Sequence, residues 1–362
     1  MNNTETKKTY FHRVAQQSKT LLWINNATPE QAQAALSAGA VGASTNPSYA
    51  SKLPAADLNN LIDKVLNEGQ RDEDRAAEAV YMAAAARLQT IFFSLYEESG
   101  GQHGWVAIQG DPRVNTDVES ILAGAMRFRK MGPNIIVKVP STPAGGRAME
   151  ELTAMGCPSI GTLGFSVDQA AYMAEAYRRG LGRGKTRPFC MVTFIVGVLE
   201  DYLKQQAQKE GGIVSTNFIE QGSIHGHRAA YRLFRERGYE AHLIGGGARR
   251  PRDFTELVGG DHYITIGWDL ADQLIKTDGP VEFRIDADVP ETVVAELDAR
   301  LPDYARSHQF GSLQPEEFGE YGPVAYFQSS FLTGVDKLLK AIRQRQVERA
   351  AAHGAGETKV RS

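Results

Sequence analysis

One lysine stands where a charge is costly. Lys138 lies in Asn134-Ile135-Ile136-Val137-Lys138-Val139-Pro140, an apolar run with the length and composition of a core strand. A charged, unpaired ammonium in such surroundings costs several kcal/mol, so the site must either pair it with an acid or hold it neutral. A neutral amine is a nucleophile, and desolvation is one way to lower its pKa. The run ends in Pro140-Ser141-Thr142-Pro143, a tight turn into a helix, which places Lys138 near the C-terminal end of its strand. The residue pattern alone leaves two readings open, a structural lysine paired with a carboxylate and a catalytic amine.

The elements that would position this lysine form a repeat of pattern, not of sequence. Short β-rich runs alternate with amphipathic helical stretches. The runs are Leu21–Asn25, Gly42–Thr45, Trp105–Gln109, Asn134–Val139, Ser159–Phe165, Phe189–Val196, Ala241–Gly245 and Tyr263–Ile266. Helix starts lie between them: Thr28-Pro29-Glu30-Gln31 and Thr116-Asp117-Val118-Glu119 read as capping boxes, and Thr142-Pro143 and Ser166-Val167-Asp168-Gln169 as further starts. Gly180 and Gly238 fall where helix C-caps belong, and the Ala-rich segment Asp72–Glu98 reads as one long outer helix. Strict alternation implies a parallel sheet, and eight repeats imply closure into an α/β (β/α)8 TIM barrel. The rival is an open doubly wound sheet, but no G-x-G-x-x-G follows the first run, which argues against a dinucleotide-binding version.

The expected organisation is a single domain over 1–362. The catalytic barrel occupies 20–276, an extension over 277–347 packs on it, and a frayed tail covers 348–362. Within the extension, Thr277–Gly322 reads as irregular and Phe331–Val347 as a final amphipathic helix. With 42% hydrophobic residues the chain can bury a large core, and a net charge of −3 gives no broad attraction to nucleic acid or membrane. Met1–Arg13 is polar and lacks the apolar stretch of a secretory signal, and Phe189–Leu199 is too short to span a bilayer. Two scattered cysteines, Cys157 and Cys190, fit a reduced, cytoplasmic protein. His225 and His227 form an H-x-H pair with no Cys or carboxylate at ligand spacing, so they read as surface or helix-start histidines and no metal is expected.

In such a barrel the active site lies at the C-terminal ends of the strands, where the polar residues are Asn25, Asn46, Gln109, Lys138, Thr162, Thr193 and Arg249. Five ordered segments resemble motifs of the transaldolase family, which includes the fructose-6-phosphate aldolases. They are Ser44-Thr45-Asn46-Pro47-Ser48, Ile136-Val137-Lys138-Val139-Pro140-Ser141-Thr142 with Gly145 and Gly146, Gly161-Thr162-Leu163-Gly164-Phe165-Ser166, Val192-Thr193-Phe194-Ile195-Val196-Gly197, and Ile244-Gly245-Gly246-Gly247-Ala248-Arg249. The resemblance runs from Leu21 to Lys276. It implies that Lys138 forms a Schiff base with a ketose and that no cofactor is needed. It also implies that Asn46 binds sugar hydroxyls and that Thr162 and Gln109 hold a proton-relaying water. Ser44, Thr193, Gly247 and Arg249 complete the implied substrate-binding set.

Three departures from the family pattern shape the expectation. Asn25 stands where the family usually has an aspartate, and an amide cannot accept a proton as a carboxylate does. Gln109 stands where transaldolases proper place a glutamate, which resembles the aldolase branch. Val198 replaces an arginine that usually binds the sugar phosphate, leaving Arg249 with Arg250 and Arg252 beside it and the Gly245–Gly247 run as a source of backbone N–H donors. The expected activity is transfer or release of a dihydroxyacetone unit from a ketose, a sugar phosphate by resemblance. The alternatives are an aldolase acting on an atypical ketose and a non-catalytic sugar-binding barrel. A small-molecule sugar is the expected partner, with no nucleic acid and no membrane. A homo-oligomer is admissible, since Asp286–Arg345 could cap its own barrel or reach a neighbour.

Overall fold

The computed structural model of the protein describes residues 8–212 and 214–360. Met1 to Lys7, which belong to the segment read above for a secretory signal, and the last two residues lie outside them. Eight parallel strands close into a barrel in sequence order: β1 (Leu21–Asn25), β2 (Ala40–Ser44), β3 (Trp105–Gln109), β4 (Ile135–Pro140), β5 (Ser159–Thr162), β6 (Cys190–Ile195), β7 (His242–Gly246) and β8 (Tyr263–Ile266). The barrel wins over the open sheet because β1 pairs with β8, Leu21 to Tyr263 through Ile24 to Ile266.

Around the barrel run α2 to α11, with α1 (Tyr10–Ser18) preceding β1. They are α2 (Pro29–Ser37), α3 (Ala55–Asn67), α4 (Glu73–Glu98), α5 (Val118–Arg129), α6 (Pro143–Ala154), α7 (Val167–Arg183), α8 (Val196–Lys209), α9 (Thr216–Arg237), α10 (Arg252–Thr255) and α11 (Trp268–Thr277). The caps at Thr28, Thr142 and Ser166 form as expected, each hydroxyl accepting the N–H of the residue three further on. Two boundary expectations are corrected. Asp117, not Thr116, caps α5, because its carboxylate accepts the Ser120 N–H at 3.1 Å. Gly180 lies inside α7, where a Cβ would stand 2.5 Å from the Thr153 side chain, so its role is the close crossing of α6 and α7. Gly238 does cap α9, with φ +60°.

The extension is more ordered than its composition suggests. The stretch read as irregular contains α12 (Glu291–Arg300) and α13 (Pro302–His308), and the last helix, α14, runs Gly322–Val360. The backbone over 348–360 continues this helix. These residues prolong the helix through an Ala-rich segment that Arg345 and Arg349 tie to Asp63, at 2.6 and 3.2 Å. The extension is pinned to the mouth of the barrel. Asp168 accepts the backbone N–H groups of Gly311 and Leu313 at 2.7 and 2.9 Å. Further along, α14 crosses the C-terminal ends of the strands: Gln205 meets Tyr326, Phe327 packs edge-on against Phe165, Gln328 donates to the Pro112 carbonyl and Ser48 to that of Ser330. Gly334 permits this crossing, since a Cβ there would lie 2.5 Å from Ser48 Oγ. Among the described residues no helix is long and apolar enough to cross a membrane.

Side chains fill the barrel in layers. An apolar plug of Trp23, Ala107, Ile136, Ile160, Met191, Ile244 and Tyr263 occupies its middle. Outside the strands, His227 and His262 are fully buried with ring centroids 5.3 Å apart and no partner for any ring nitrogen. His225 contacts Tyr304 at 2.8 Å and stacks on His308. His225 and His227 therefore depart from the expected surface or helix-start placement, because the sequence pattern could not show α13 covering α9; His262 is buried beside them. Burial lowers the pKa of each, to about 3 for His262 and about 4 for His225. The unfolded chain takes up protons below about pH 6.5 that the folded chain refuses, so stability is full above that pH and falls as the pH drops. Each such histidine adds a slope approaching about 1.4 kcal/mol per pH unit. Reversible thermal or urea unfolding between pH 7 and 5.5 should show the His227→Gln/His262→Gln double variant losing stability less steeply than wild type. Parallel curves would refute this assignment.

Candidate active site

Above the apolar plug the strands present a second tier, made on seven of them of the residue two positions beyond a plug member and on β2 of Ser44. It comprises Asn25, Ser44, Gln109, Lys138, Thr162, Thr193, Gly246 and Thr265, one from each of the eight strands. Side-chain alternation produces this ring: Val137 and Val139 face the helices while Ile136 and Lys138 face the lumen. Six of the nine residues expected from sequence, Asn25, Ser44, Gln109, Lys138, Thr162 and Thr193, meet in it. Thr265 and Gly246 were not foreseen. The signal for Thr265 was present in the alternation Tyr263-Ile264-Thr265-Ile266, which puts it on the face of Tyr263.

Lys138 is half-buried and has no acid partner among the described residues. Its Nζ donates to Ser44 Oγ at 3.3 Å and to the Thr45 carbonyl at 3.1 Å. Burial alone lowers its pKa to about 8. Of the two readings left open by the sequence, pairing with a carboxylate is thus excluded among the described residues. The neighbouring Gln109, in register with Lys138, is 3% exposed and neither atom of its amide has a partner. Tyr81 of α4 braces this corner: its hydroxyl accepts the Gln109 N–H at 3.1 Å and lies 2.8 Å from Thr45 Oγ1. Thr45 Oγ1 already donates to the Ala107 carbonyl, so Tyr81 is the donor to it. A hollow of about 50 Å³ between the ends of β3 and β4 and the facing side of α5 is lined by Lys138 and Gln109 together with Val137, Pro140, Ile121 and Phe128. It adjoins one of about 680 Å³ that Gln109 also lines, roofed by Val335 and Leu338 of α14.

The remaining expected residues sit at the rim. Asn46 is buried, and its Oδ1 accepts the Ser48 N–H at 3.0 Å, closing the turn after β2. Gly247 has φ +65°, and a Cβ on it would approach Ile195 and Val198 to 2.5 and 2.9 Å. Val198 is thus the buried floor beneath that turn. Arg249 is held by Asp201 at 2.8 Å and by the Gly247 carbonyl at 3.0 Å. The backbone N–H groups of Arg249 and Arg250 point to Asp253 Oδ2, at 2.7 and 3.1 Å. These two donors are therefore occupied by an internal carboxylate, whose pKa is raised by burial and held back by the same two bonds. Arg250 pairs with Glu200 and Glu220, and Arg252 with Glu220. Lys52, after β2, has its pKa lowered first by burial and then by the charges of Arg249 and Lys337. Among the described residues no group of three or more His, Cys, Asp or Glu could hold a metal ion.

A closed (β/α)8 barrel with an unpaired lysine on its fourth strand defines the class of site. The chain belongs to the transaldolase/fructose-6-phosphate aldolase family, whose model matches residues 22–309. It is 33% identical over 148 residues to a transaldolase of Thiobacillus denitrificans, which covers 40% of this chain and 41% of that one. It is 25% identical over 217 residues to transaldolase 1 of Streptomyces avermitilis, covering 54% of each. Against a transaldolase of Mycolicibacterium paratuberculosis the identity is 27% over 206 residues, covering 54% and 55%. The chain thus spans about half the length of these curated relatives or less.

The state of Lys138 has a direct readout. With a pKa of about 8, the fraction of free amine rises through pH 8 and levels off by about pH 9 to 9.5. The rate at which an amine-directed reagent modifies Lys138, followed by peptide mass analysis, should follow that curve. A rate still climbing tenfold per unit at pH 9.5 would show an ordinary lysine.

Proposed function

We propose that this protein is a transaldolase-type enzyme in which Lys138 Nζ forms a Schiff base with the carbonyl carbon of a ketose phosphate. The observation that carries the reading is the lysine itself: desolvated, unpaired with any described acid and beside a hollow. The free amine attacks C2 to give a carbinolamine, which loses water to form an iminium. A base takes the proton of the C4 hydroxyl, the C3–C4 bond breaks, and its electron pair flows into the iminium to leave an enamine. The aldehyde departs. The enamine then attacks an acceptor aldehyde in transfer, or is protonated at C3 and hydrolysed in aldol release.

The polar ring limits which group can be the base. Asn25 and Gln109 cannot accept a proton as carboxylates do. A water held between Gln109 and Thr162 is the mobile proton carrier in this reading, and the unpartnered Gln109 amide is available to hold it. Asn25, Ser44, Asn46 and Thr193 bind the hydroxyls of the fixed unit. The phosphate meets Arg249 at the rim together with Lys52 and Lys337, whose mutual repulsion an anion would relieve. Gly247 keeps the chain close enough for Arg249 to reach that rim. The reading places the reaction in the cytoplasm, where thiols such as Cys157 stay reduced.

Borohydride reduction in the presence of dihydroxyacetone or fructose 6-phosphate should fix a ketose-derived adduct on Lys138. Lys138→Met should abolish both the adduct and turnover, on the order of a thousandfold or more, as expected when a covalent nucleophile is removed. Turnover that requires an added aldehyde identifies transfer, and turnover without one identifies aldol release. A wild-type protein that binds sugar phosphates but yields no adduct and no turnover is a sugar-binding barrel, and the catalytic reading fails.

A further inference from the structure

We propose that Thr265 is a substrate-binding residue for the hydroxylated chain beyond the cleaved bond, and that Gly246 beside it sets the length of chain admitted. The inference rests on the Schiff-base reading of Lys138. In a closed ring of eight strands, β8 stands diametrically opposite β4, so Thr265 faces Lys138 across the lumen. It shares the face of Tyr263, whose ring belongs to the apolar plug one layer below. The Thr265 side chain is 7% exposed, yet its hydroxyl has no partner. Buried hydroxyls are normally satisfied, and one without a partner on the lumen side of a strand marks a place for a ligand atom or a water.

Two members of the ring are left open in this way, Gln109 and Thr265. Gln109 adjoins the lysine in register and Thr265 lies at the far wall. A ketose joined to Nζ through C2 keeps C1 to C3 beside Lys138 and Gln109 and sends C4 onward across the lumen. The hydroxyls of that outer portion, which is the departing or accepting aldehyde, are the ones Thr265 can reach.

Gly246 on β7 separates Thr265 from Thr193. A Cβ there would stand 3.3 Å from the Thr265 methyl and 3.4 Å from the Thr193 methyl. Both distances are tight, so an alanine would fill the gap between the two threonines and crowd the far wall. A chain of three carbons does not extend that far, whereas one of six does.

The test compares borohydride trapping of wild type, Thr265→Val, Thr265→Ser and Gly246→Ala with two probes, dihydroxyacetone and fructose 6-phosphate. Thr265→Val should trap dihydroxyacetone within about twofold of wild type while needing about tenfold more fructose 6-phosphate for half-maximal trapping, the loss expected for one neutral hydrogen bond. Thr265→Ser should restore the wild-type ratio, and Gly246→Ala should show the same selective loss as Thr265→Val. Equal behaviour of Thr265→Val towards both probes, whether intact or impaired, overturns this inference while leaving the Schiff base standing. Failure of the wild type to trap either probe overturns the reading of Lys138 and this inference with it.

Discussion

The constraint from which the rest follows is that an amine must be kept out of water without being given a countercharge. Lys138 reaches this state because its strand presents Ile136 to the lumen one layer below it and valines to the helices on either side. The only described groups that its nitrogen meets are a hydroxyl and a carbonyl oxygen. Both stabilise the ammonium weakly, so desolvation prevails and the amine titrates near pH 8. A carboxylate at Asn25 or Gln109 would oppose that effect by favouring the charged form. The two amides are therefore consistent with a site in which burial alone prepares the nucleophile.

That preparation depends on parts of the chain far from it. The ring closes only because β1 pairs with β8, and each strand then contributes one residue to the polar end of the lumen. Tyr81, on a helix between β2 and β3, fixes the Gln109 backbone and the Thr45 turn with one hydroxyl. The last helix then lies over the mouth, where Gly334 gives Ser48 room and Asp168 anchors the preceding loop. A helix across the strand ends excludes water from the layer beneath, and exclusion of water strengthens every polar contact made there.

Much of this was legible in the sequence, and the reasons for the misses are specific. The strands were found because β-rich runs alternate with capped helices, and β1, β3 and β8 were placed to the residue. Lys138 stood out because a lysine in an apolar strand has few explanations. Thr265 alternates with Tyr263, but a threonine is ordinary in any strand, and only closure of the barrel makes it a lumen residue opposite the lysine. Gly180 was mistaken for a cap because a glycine near a helix end has two uses, and only the crossing of α6 and α7 decides between them. The burial of His227 and His262 depends on how α9 packs against β7 and β8, which no local pattern encodes.

The charges around the mouth fit the same economy. Arg249, Arg250 and Arg252 are each matched by Asp201, Glu200 or Glu220, and Asp253 satisfies the turn that carries them. Arg113 and Arg127 on the opposite rim are likewise held by Asp74, Asp111 and Glu78. Paired charges of this kind project little field into the lumen, so the ammonium of Lys138 is governed by solvent exclusion and not by its ionised neighbours. Lys52 and Lys337 have no such partner among the described residues. In the proposed reading Arg249, Lys52 and Lys337 together attract an anion at the rim, and a ligand carrying an anion at one end and a ketone at the other enters with its ketone towards the amine. Orientation by the rim and reactivity by burial are then separate devices, one tunable by surface charge and the other by the layer of side chains beneath Lys138.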